Sequence, residues 1–332
     1  MAGLAVALAL AAAVVLSRSP GGHAGPWVVT TPNDNAGVNG APDFRTMLPA
    51  GDGTLLEDVG NAYWCTTSSC AADEPLAPLR DSQFGLPAGG ALPDGTPVLA
   101  SLTEIDGDTL RLGLLHCAQR TCAEVGGGTF TAPGFSSAVA AAPHGGFAAA
   151  VIGGQGQVSV YRCAAAPCRT AAREQVPGPS SDAIAITVTP SGQTLLAYGD
   201  SESSQVVLAE AAPGGSFSQL AAVNAPVSDV NPGNVVGAPY GGTPPPAIEF
   251  SGRDLLVVSE NPSGHAVTLT TCAVTSCGNT TKVSQVATVG NPIVELGIGV
   301  PTGTPRIFWA TQDTDILGAI SYSGHLWIGN ST

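Results

Sequence analysis

The sequence predicts an all-β protein, namely a β-propeller of six blades with four antiparallel strands in each blade. Gly 43 and Pro 27 are high and charged residues make up only 11%, a composition typical of short strands with many turns. Cysteines recur in pairs of identical spacing at roughly regular intervals along the 332 residues, as expected of a repeat architecture. The pairs are Cys65/Cys70, Cys117/Cys122, Cys163/Cys168 and Cys272/Cys277.

The third repeat shows the pattern most clearly. Gly-rich turns separate three segments that are apolar or that alternate between apolar and polar residues. These segments are Ser137 to Ala142, Phe147 to Ile152 and Gln157 to Cys163. The chain then returns from Cys168 in a fourth strand. Four short strands joined by tight turns predict one propeller blade.

The fourth repeat lacks cysteines. Its strands are predicted at Ala183 to Thr189, Thr194 to Tyr198 and Val206 to Ala209. The segment Ala211 to Gly215 stands where the cysteine pair would fall. Turn residues therefore replace the cysteines in this repeat.

The other repeats follow the same scheme with less regularity. Asp-Gly and Ser-Gly dipeptides, which favour hairpin turns, separate several of their strands. We expect strands at Val59 to Cys65, Pro97 to Leu102, Leu110 to His116, Asp254 to Ser259, Ala266 to Cys272, Ile293 to Val300, Arg306 to Ala310, Leu317 to Tyr322 and His325 to Ile328.

The N-terminal region indicates where the chain resides. Ala2 to Leu16 is an uninterrupted apolar run, and small residues around His23 offer a cleavage point. Nothing basic precedes the run, so residues 1–24 are predicted as either a signal peptide or a membrane anchor. Either alternative predicts an extracytoplasmic chain, secreted or anchored at the outer face of the membrane. Residues 25–43 are predicted as a linker, with Trp27 to Thr31 as the strand that closes the ring, and residues 44–332 as the propeller.

The eight cysteines are predicted to form four local disulfides. Two residues that face each other across a hairpin are close enough for such a bond, and thiols outside the cytoplasm tend to oxidise. Metal binding is the competing interpretation, because Cys-x4-Cys is near zinc-ligand spacing. The pairs lie on different repeats and no histidine accompanies every pair, which favours disulfides.

The strand, Gly-turn, strand pattern of residues 40 to 330 resembles secreted or surface β-propellers of bacteria. The layout of an apolar N-terminal segment followed by such a domain is also similar to the external sensor propellers of membrane Ser/Thr kinases. That resemblance implies a ligand-binding or sensor role. The Trp-Asp dipeptide of WD40 repeats is absent from the sequence.

Composition and motifs argue against several function classes. The formal charge of -14, with Lys282 as the sole lysine, disfavours nucleic acid. No Gly-x-Ser-x-Gly elbow occurs, and no catalytic residue is predicted. No two of the five histidines share a motif. Those histidines are His23, His116, His144, His265 and His325.

Calcium is the one cofactor that the sequence leaves open, and otherwise we expect none. Paired carboxylates occur at Asp106-Gly107-Asp108 and Asp313-Thr314-Asp315, and a single one at Asp52-Gly53. None of these turns provides the six to eight oxygens that calcium takes. Hairpin turns are therefore the favoured interpretation.

The sequence thus predicts a non-catalytic module that binds an unknown protein or small ligand at the propeller loops. The Pro- and Gly-rich segment Pro239 to Pro246 is the most distinctive of these loops. Membrane contact is expected only through the N-terminal segment. The alternative is a glycoside hydrolase of sialidase type, because Asp94-Gly95 and Asp52-Gly53 resemble part of the sialidase Asp-box. Its arginine and tyrosine candidates are Arg45, Arg111, Arg253, Arg306, Tyr63, Tyr198 and Tyr240.

Overall fold

The structure is a computed structural model in which strands account for all regular secondary structure of the described residues. It describes residues 27–30, 46–50, 53–58, 61–65, 73–75, 88–91, 97–106, 109–118, 121–131, 136–142, 145–153, 156–165, 171–179, 183–200, 202–225, 246–261, 266–289, 293–300, 305–311, 313–314, 320–321 and 327–331.

The first half of the chain contributes three four-stranded antiparallel sheets, and each follows chain order. Sheet 1 contains β2 (Thr46–Ala50), β3 (Gly53–Asp58), β4 (Asn61–Cys65) and β5 (Asp73–Pro75). Sheet 2 contains β6 (Ala88–Ala91), β7 (Pro97–Asp106), β8 (Thr109–Ala118) and β9 (Thr121–Thr131). Sheet 3 contains β10 (Ser136–Ala141), β11 (Gly145–Ile152), β12 (Gln157–Ala165) and β13 (Ala172–Pro179).

Three further sheets follow. Sheet 4 contains β14 (Ile184–Val188), β15 (Thr194–Asp200), β16 (Gln205–Ala211) and β17 (Ser218–Asn224). Sheet 5 contains β18 (Ala247–Ser251), β19 (Asp254–Glu260), β20 (Ala266–Ala273) and β21 (Lys282–Thr288). Sheet 6 contains β22 (Ile293–Gly299), β23 (Arg306–Thr311), β26 (Trp327–Ser331) and β1 (Trp27–Thr30), and a separate small sheet pairs β24 (Asp313–Thr314) with β25 (Ile320–Ser321).

The sheets form a closed ring, which is the architecture of a β-propeller. The first strand of each sheet lies near the first strand of the next, from β2 through β6, β10, β14 and β18 to β22, and β22 lies near β2. The N-terminal strand β1 pairs antiparallel with β26, with Trp27 opposite Ser331, and forms the outer edge of sheet 6. The two ends of the described chain are thus joined in one sheet, where β1 covers the backbone edge of β26.

The all-β propeller fold predicted from the sequence is confirmed. The described residues contain six four-stranded sheets, while the total number of blades stays a prediction. The strands predicted in the third, fourth and fifth repeats match the observed ones to within about two residues, the usual uncertainty of strand ends. The predicted segment at residues 1–24 lies outside the described residues.

One predicted strand of the last repeat was wrong. Leu317 to Tyr322 was expected as a strand of the last blade, but its described part, β25, pairs with β24 and not with sheet 6 among the described residues. The third place in sheet 6 is taken by β26, which pairs with β23 on one side and with β1 on the other. The N-terminal strand β1 takes the fourth place of this sheet.

Apolar clusters fill the spaces between neighbouring sheets. Leu196 and Tyr198 of β15 pack with Ile152 of β11 between sheets 3 and 4. Leu208 and Leu255 are fully buried in the cluster between sheets 4 and 5, and Trp309 is 2% exposed between sheets 5 and 6. Each such side chain contributes roughly 1.5 to 3 kcal/mol through burial, so the blades are held together mainly by these contacts.

Candidate functional site

The first strands of the six sheets lie nearest the axis of the ring, and we call them the inner strands. They are β2, β6, β10, β14, β18 and β22. Propellers offer a ligand site at this axis. Among the described side chains of the inner strands, Glu249 of β18 is the single ionisable group. Ile248 and Phe250 belong to the cluster between sheets 4 and 5, whereas Ala247 packs against the cluster between sheets 5 and 6. Because side chains alternate along a strand, Glu249 lies on the Ala247 side and faces sheet 6.

The environment of Glu249 is unusual for a carboxyl group. The residue is partly exposed, and the protein around it desolvates its carboxyl group. Oε1 accepts a hydrogen bond from the backbone N–H of Phe250 at 2.8 Å. Burial raises the pKa of Glu249 from 4.5 to about 7, and the Phe250 hydrogen bond opposes that rise. This carboxyl group therefore changes charge near neutral pH.

The loops of sheets 4 and 5 fall on two opposite faces of the ring. We call one of them the turn face. It carries the turns that join the first strand to the second and the third strand to the fourth in each of these sheets. These turns are at residues 189–193 and 212–217 in sheet 4 and at residues 252–253 and 274–281 in sheet 5. The N–H of Val274 donates to the Arg253 carbonyl at 2.8 Å and joins two of these turns. The connection face carries the loop at 202–204, the end of β17 at Asn224 and the start of β18 at Ala247.

A disulfide bond fixes one turn of the turn face. The Sγ atoms of Cys272 and Cys277 are bonded, and their Cα atoms are 4.9 Å apart. Cys272 lies in β20, whereas Cys277 lies in the following turn and not opposite Cys272 on β21. Both residues are buried in the cluster between sheets 4 and 5, so the bond also contributes to packing between blades.

The structure describes the other cysteines in part. Cys163 of β12 is disulfide-bonded, and its predicted partner Cys168 lies outside the described residues. Cys117 and Cys122 occupy directly opposite backbone positions on β8 and β9. Cys65 ends β4, and Cys70 lies outside the described residues.

An arginine holds the corresponding turn of sheet 4, which lacks cysteines. Arg162 of β12 donates from Nη2 to Glu174 Oε2 at 2.8 Å and from Nη1 to the Ala212 carbonyl at 3.3 Å. Nη2 also donates to the carbonyl of Gly215. Glu174 Oε1 accepts a hydrogen bond from the backbone N–H of Phe217 at 2.7 Å. We call Arg162, Glu174 and Phe217 the inter-sheet clamp, because they join sheet 3 to the turn at 212–217.

A short acidic loop lies on the connection face. Asp200 Oδ1 accepts a hydrogen bond from the N–H of Glu202 at 3.0 Å, and Oδ2 accepts one from the Ser203 hydroxyl at 2.7 Å. These bonds use the carboxylate to fix the turn between β15 and β16, at which Ser204 has φ 52°. The loop is therefore ordered by its own side chains.

The sialidase candidates are not brought together where the structure describes them. Arg253 lies on the turn face, whereas Tyr198 lies near the opposite end of β15 in the core between sheets 3 and 4. Burial, followed by the charge of Asp200, raises the pKa of Tyr198, which disfavours the phenolate of a nucleophile. Arg111, Arg306 and Tyr63 lie on β8, β23 and β4, and Arg45 and Tyr240 lie outside the described residues.

The candidate calcium turns are described only in part. Asp106 ends β7 and Asp313 begins β24, while Asp52, Asp108 and Asp315 lie outside the described residues. Within the described ranges, no group of three or more His, Cys, Asp or Glu could hold a metal ion. His116 lies on β8, and the other four histidines lie outside these ranges, as does Pro239 to Pro245 of the distinctive loop.

Sequence reasoning missed Glu249 and the inter-sheet clamp. A single acid in the apolar run of β18 was a usable signal for Glu249, because it interrupts an inner strand. No pattern in the sequence pairs Arg162 with a turn fifty residues away.

Comparisons with known proteins support the fold. No protein-family model matches the chain, and no curated protein matches it. The solved structure of AofleA from Arthrobotrys oligospora is similar with a TM-score of 0.54 and 10% identity, covering 92% of this chain and 87% of that chain. At this identity the similarity concerns the fold alone.

Two further solved structures show weaker similarity. A protein assigned as TolB from Agrobacterium tumefaciens gives a TM-score of 0.47 and 13% identity, covering 87% of this chain and 90% of that chain. A subtype N10 neuraminidase-like protein of A/little yellow-shouldered bat/Guatemala/060/2010 gives 0.49 and 9% identity, covering 92% of this chain and 98% of that chain. In the part of the chain that the structure describes, no helix is long and apolar enough to cross a membrane.

Proposed function

We propose that this chain is a non-catalytic binding or sensor module that works outside the cytoplasm, secreted or anchored at the membrane. It binds a protein or a small ligand through its connection face. The Cys272–Cys277 disulfide supports the location, because such bonds persist in oxidising compartments. The apolar segment Ala2 to Leu16 supports export by either a signal peptide or an anchor.

The observation that carries the proposal is the difference between the two faces. On the turn face, the turn at 274–281 is closed by a disulfide and the turn at 212–217 is held by the inter-sheet clamp. On the connection face, the link from β17 to β18 covers residues 225–246, compared with 180–183 from β13 to β14. Long connections on a rigid scaffold are where binding residues concentrate.

The experiment compares three forms of the purified protein immobilised on a resin. Each form is exposed to a detergent extract of the envelope of the organism that makes the protein, and the retained molecules are identified by mass spectrometry. The first form is the wild type, and the second has residues 226–245 replaced by a Gly-Ser linker of equal length. The third is Arg253→Ala, a matched change on the turn face.

Specific retention by the wild type and by Arg253→Ala, lost in the linker variant, is the expected result. Equal retention by all three forms would contradict binding through the connection face. Loss of retention in Arg253→Ala alone would indicate that the ligand binds at the turn face. That result would favour the alternative of a sialidase-type site, for which Arg253 is a candidate arginine.

A further inference from the structure

Within the described part of the chain, one carboxyl oxygen of Glu249 has no hydrogen-bond partner. The hydrogen bond from Phe250 satisfies Oε1, and among the described contacts none satisfies Oε2. A desolvated carboxyl oxygen without a partner is costly, so such a group in a native structure calls for an explanation. Partial exposure of Glu249 leaves room for a partner that is not part of the protein.

The described strands that pack around Glu249 carry acidic but no basic side chains. The four strands β14, β18, β19 and β22 contain no Lys, Arg or His. Their other acids are Asp254 and Glu260 at the two ends of β19, and Glu295 on β22. Arg253 stands beside Asp254 in the turn, but these four strands themselves carry only acids, and their ionised carboxylates create a negative potential that attracts cations and repels anions.

The walls beside Glu249 are apolar. Leu256 lies opposite Glu249 on β19, and it shares a buried cluster with Val258 of the same strand and with Ile298 of β22. This setting disfavours a strongly hydrated metal ion, which needs several oxygen ligands. An organic cation with a short alkyl stem fits it better, because the stem contacts the apolar side chains while the charged head contacts the carboxylate.

We propose that Glu249 anchors the cationic group of a ligand, a primary ammonium or a guanidinium, at the inner strand of sheet 5. This inference rests on the proposed binding function and names the ligand class. The ammonium donates hydrogen bonds to Oε2 of the ionised carboxylate. The ligand site lies beside the axis of the ring, at the centre of β18, the strand that begins on the connection face.

The test uses n-butylammonium as the probe and n-butanol as its neutral counterpart of the same shape. Binding of each is measured by isothermal titration calorimetry at pH 8, where Glu249 is largely ionised. The proteins are the wild type, Glu249→Gln, and Glu210→Gln as a control acid at the turn-face end of β16. Glu249→Gln keeps the shape of the side chain and removes its charge, so the fold is retained.

We expect the wild type and Glu210→Gln to bind n-butylammonium equally and to bind n-butanol more weakly. Glu249→Gln should bind n-butylammonium roughly ten- to a hundredfold more weakly, the loss typical of one charge-assisted hydrogen bond. Equal affinity in Glu249→Gln, or no binding by the wild type, would overturn the inference. Either result leaves the envelope-retention experiment unaffected, so failure of this site and failure of the proposed function are distinguishable.

Discussion

The guanidinium carbon of Arg162 lies 5.3 Å from the ring centroid of Phe217, so a side chain of sheet 3 covers the turn that precedes the outer strand of sheet 4. The equivalent turn of sheet 5 is closed by Cys272–Cys277 and packs near Ala221 of sheet 4. Two different chemistries thus stabilise the same turn in successive blades. In the repeat without cysteines, the turn at 212–217 is held by the inter-sheet clamp from the neighbouring blade.

The first prediction concerns the charge of Arg162. Arg162→Met should lower the free energy of unfolding by about 2 kcal/mol, in the range of charge-assisted hydrogen bonds. The side chains of Arg162 and Glu174 are only 17% and 22% exposed, so this pair should exceed the value of a surface ion pair. Urea unfolding of both proteins measures the difference.

A double-mutant cycle with Glu174→Gln provides the control. If the clamp acts as one unit, the loss in the double variant should be smaller than the sum of the two single losses. Additive losses, or a loss below about 0.5 kcal/mol for Arg162→Met, would show that the pair behaves as an ordinary surface contact.

The second prediction concerns the disulfide of sheet 5. Its cysteines are separated by 5 in sequence, and closing so short a loop should contribute about 2 kcal/mol in the chain-entropy model. Cys272→Ala/Cys277→Ala should lose about that amount, with a further loss from the apolar contacts of two buried residues. Thermal and urea unfolding of the variant test this value. A variant as stable as the wild type would contradict a structural role for the bond.

The third prediction concerns pH. The pKa of Glu249 is raised to about 7 in the folded protein, so between its unfolded value and about 7 the folded state binds more protons than the unfolded state. This group therefore makes stability fall as pH rises from about 4.5 to about 7 and adds no further change above that range. The full effect corresponds to about 3 kcal/mol.

Glu249→Gln should remove that contribution. The difference in unfolding free energy between variant and wild type should grow in favour of the variant from pH 4.5 to 7, as measured by urea unfolding across the range. A constant difference across this range would contradict a raised pKa of Glu249 in the folded protein.

The fourth prediction concerns two glycines. A Cβ at Gly146 would lie 2.1 Å from the carbonyl oxygen of Cys163, so β11 and β12 would have to separate. Gly146→Ala should therefore destabilise the protein by about 2 kcal/mol or more. Gly278 is the matched control, because a Cβ there would lie 3.7 Å from the Ala221 Cβ, an ordinary contact. Comparable thermal stability of the two variants would contradict the close approach of these strands.

Local signals account for the parts of the fold that the sequence predicted. Alternating apolar residues and Gly turns predicted the second and third strands of sheets 3, 4 and 5, because pleat period and turn chemistry are short-range properties. Gly252, with φ 62°, occupies the first position of the two-residue turn between Ser251 and Asp254, where a positive φ favours glycine.

Contacts between distant segments account for what sequence reasoning missed. The place of β26 in sheet 6 depends on its pairing with β1, nearly the whole chain away, so the Leu317 to Tyr322 segment could not be excluded from local pattern. Arg162 acts on a turn of the next blade, and the pKa of Glu249 depends on enclosure by neighbouring sheets. Neither the contact of Arg162 with that turn nor the raised pKa of Glu249 can be predicted from residue spacing or composition.

The most direct test of the account is the fate of the molecule that the wild-type protein retains from the envelope extract. That molecule is eluted, incubated with fresh protein at neutral pH, and compared by mass spectrometry with a sample incubated without protein. The account predicts that its mass is unchanged and that it binds again to wild-type resin. A cleaved or otherwise altered product would contradict a non-catalytic role and would identify the chain as an enzyme.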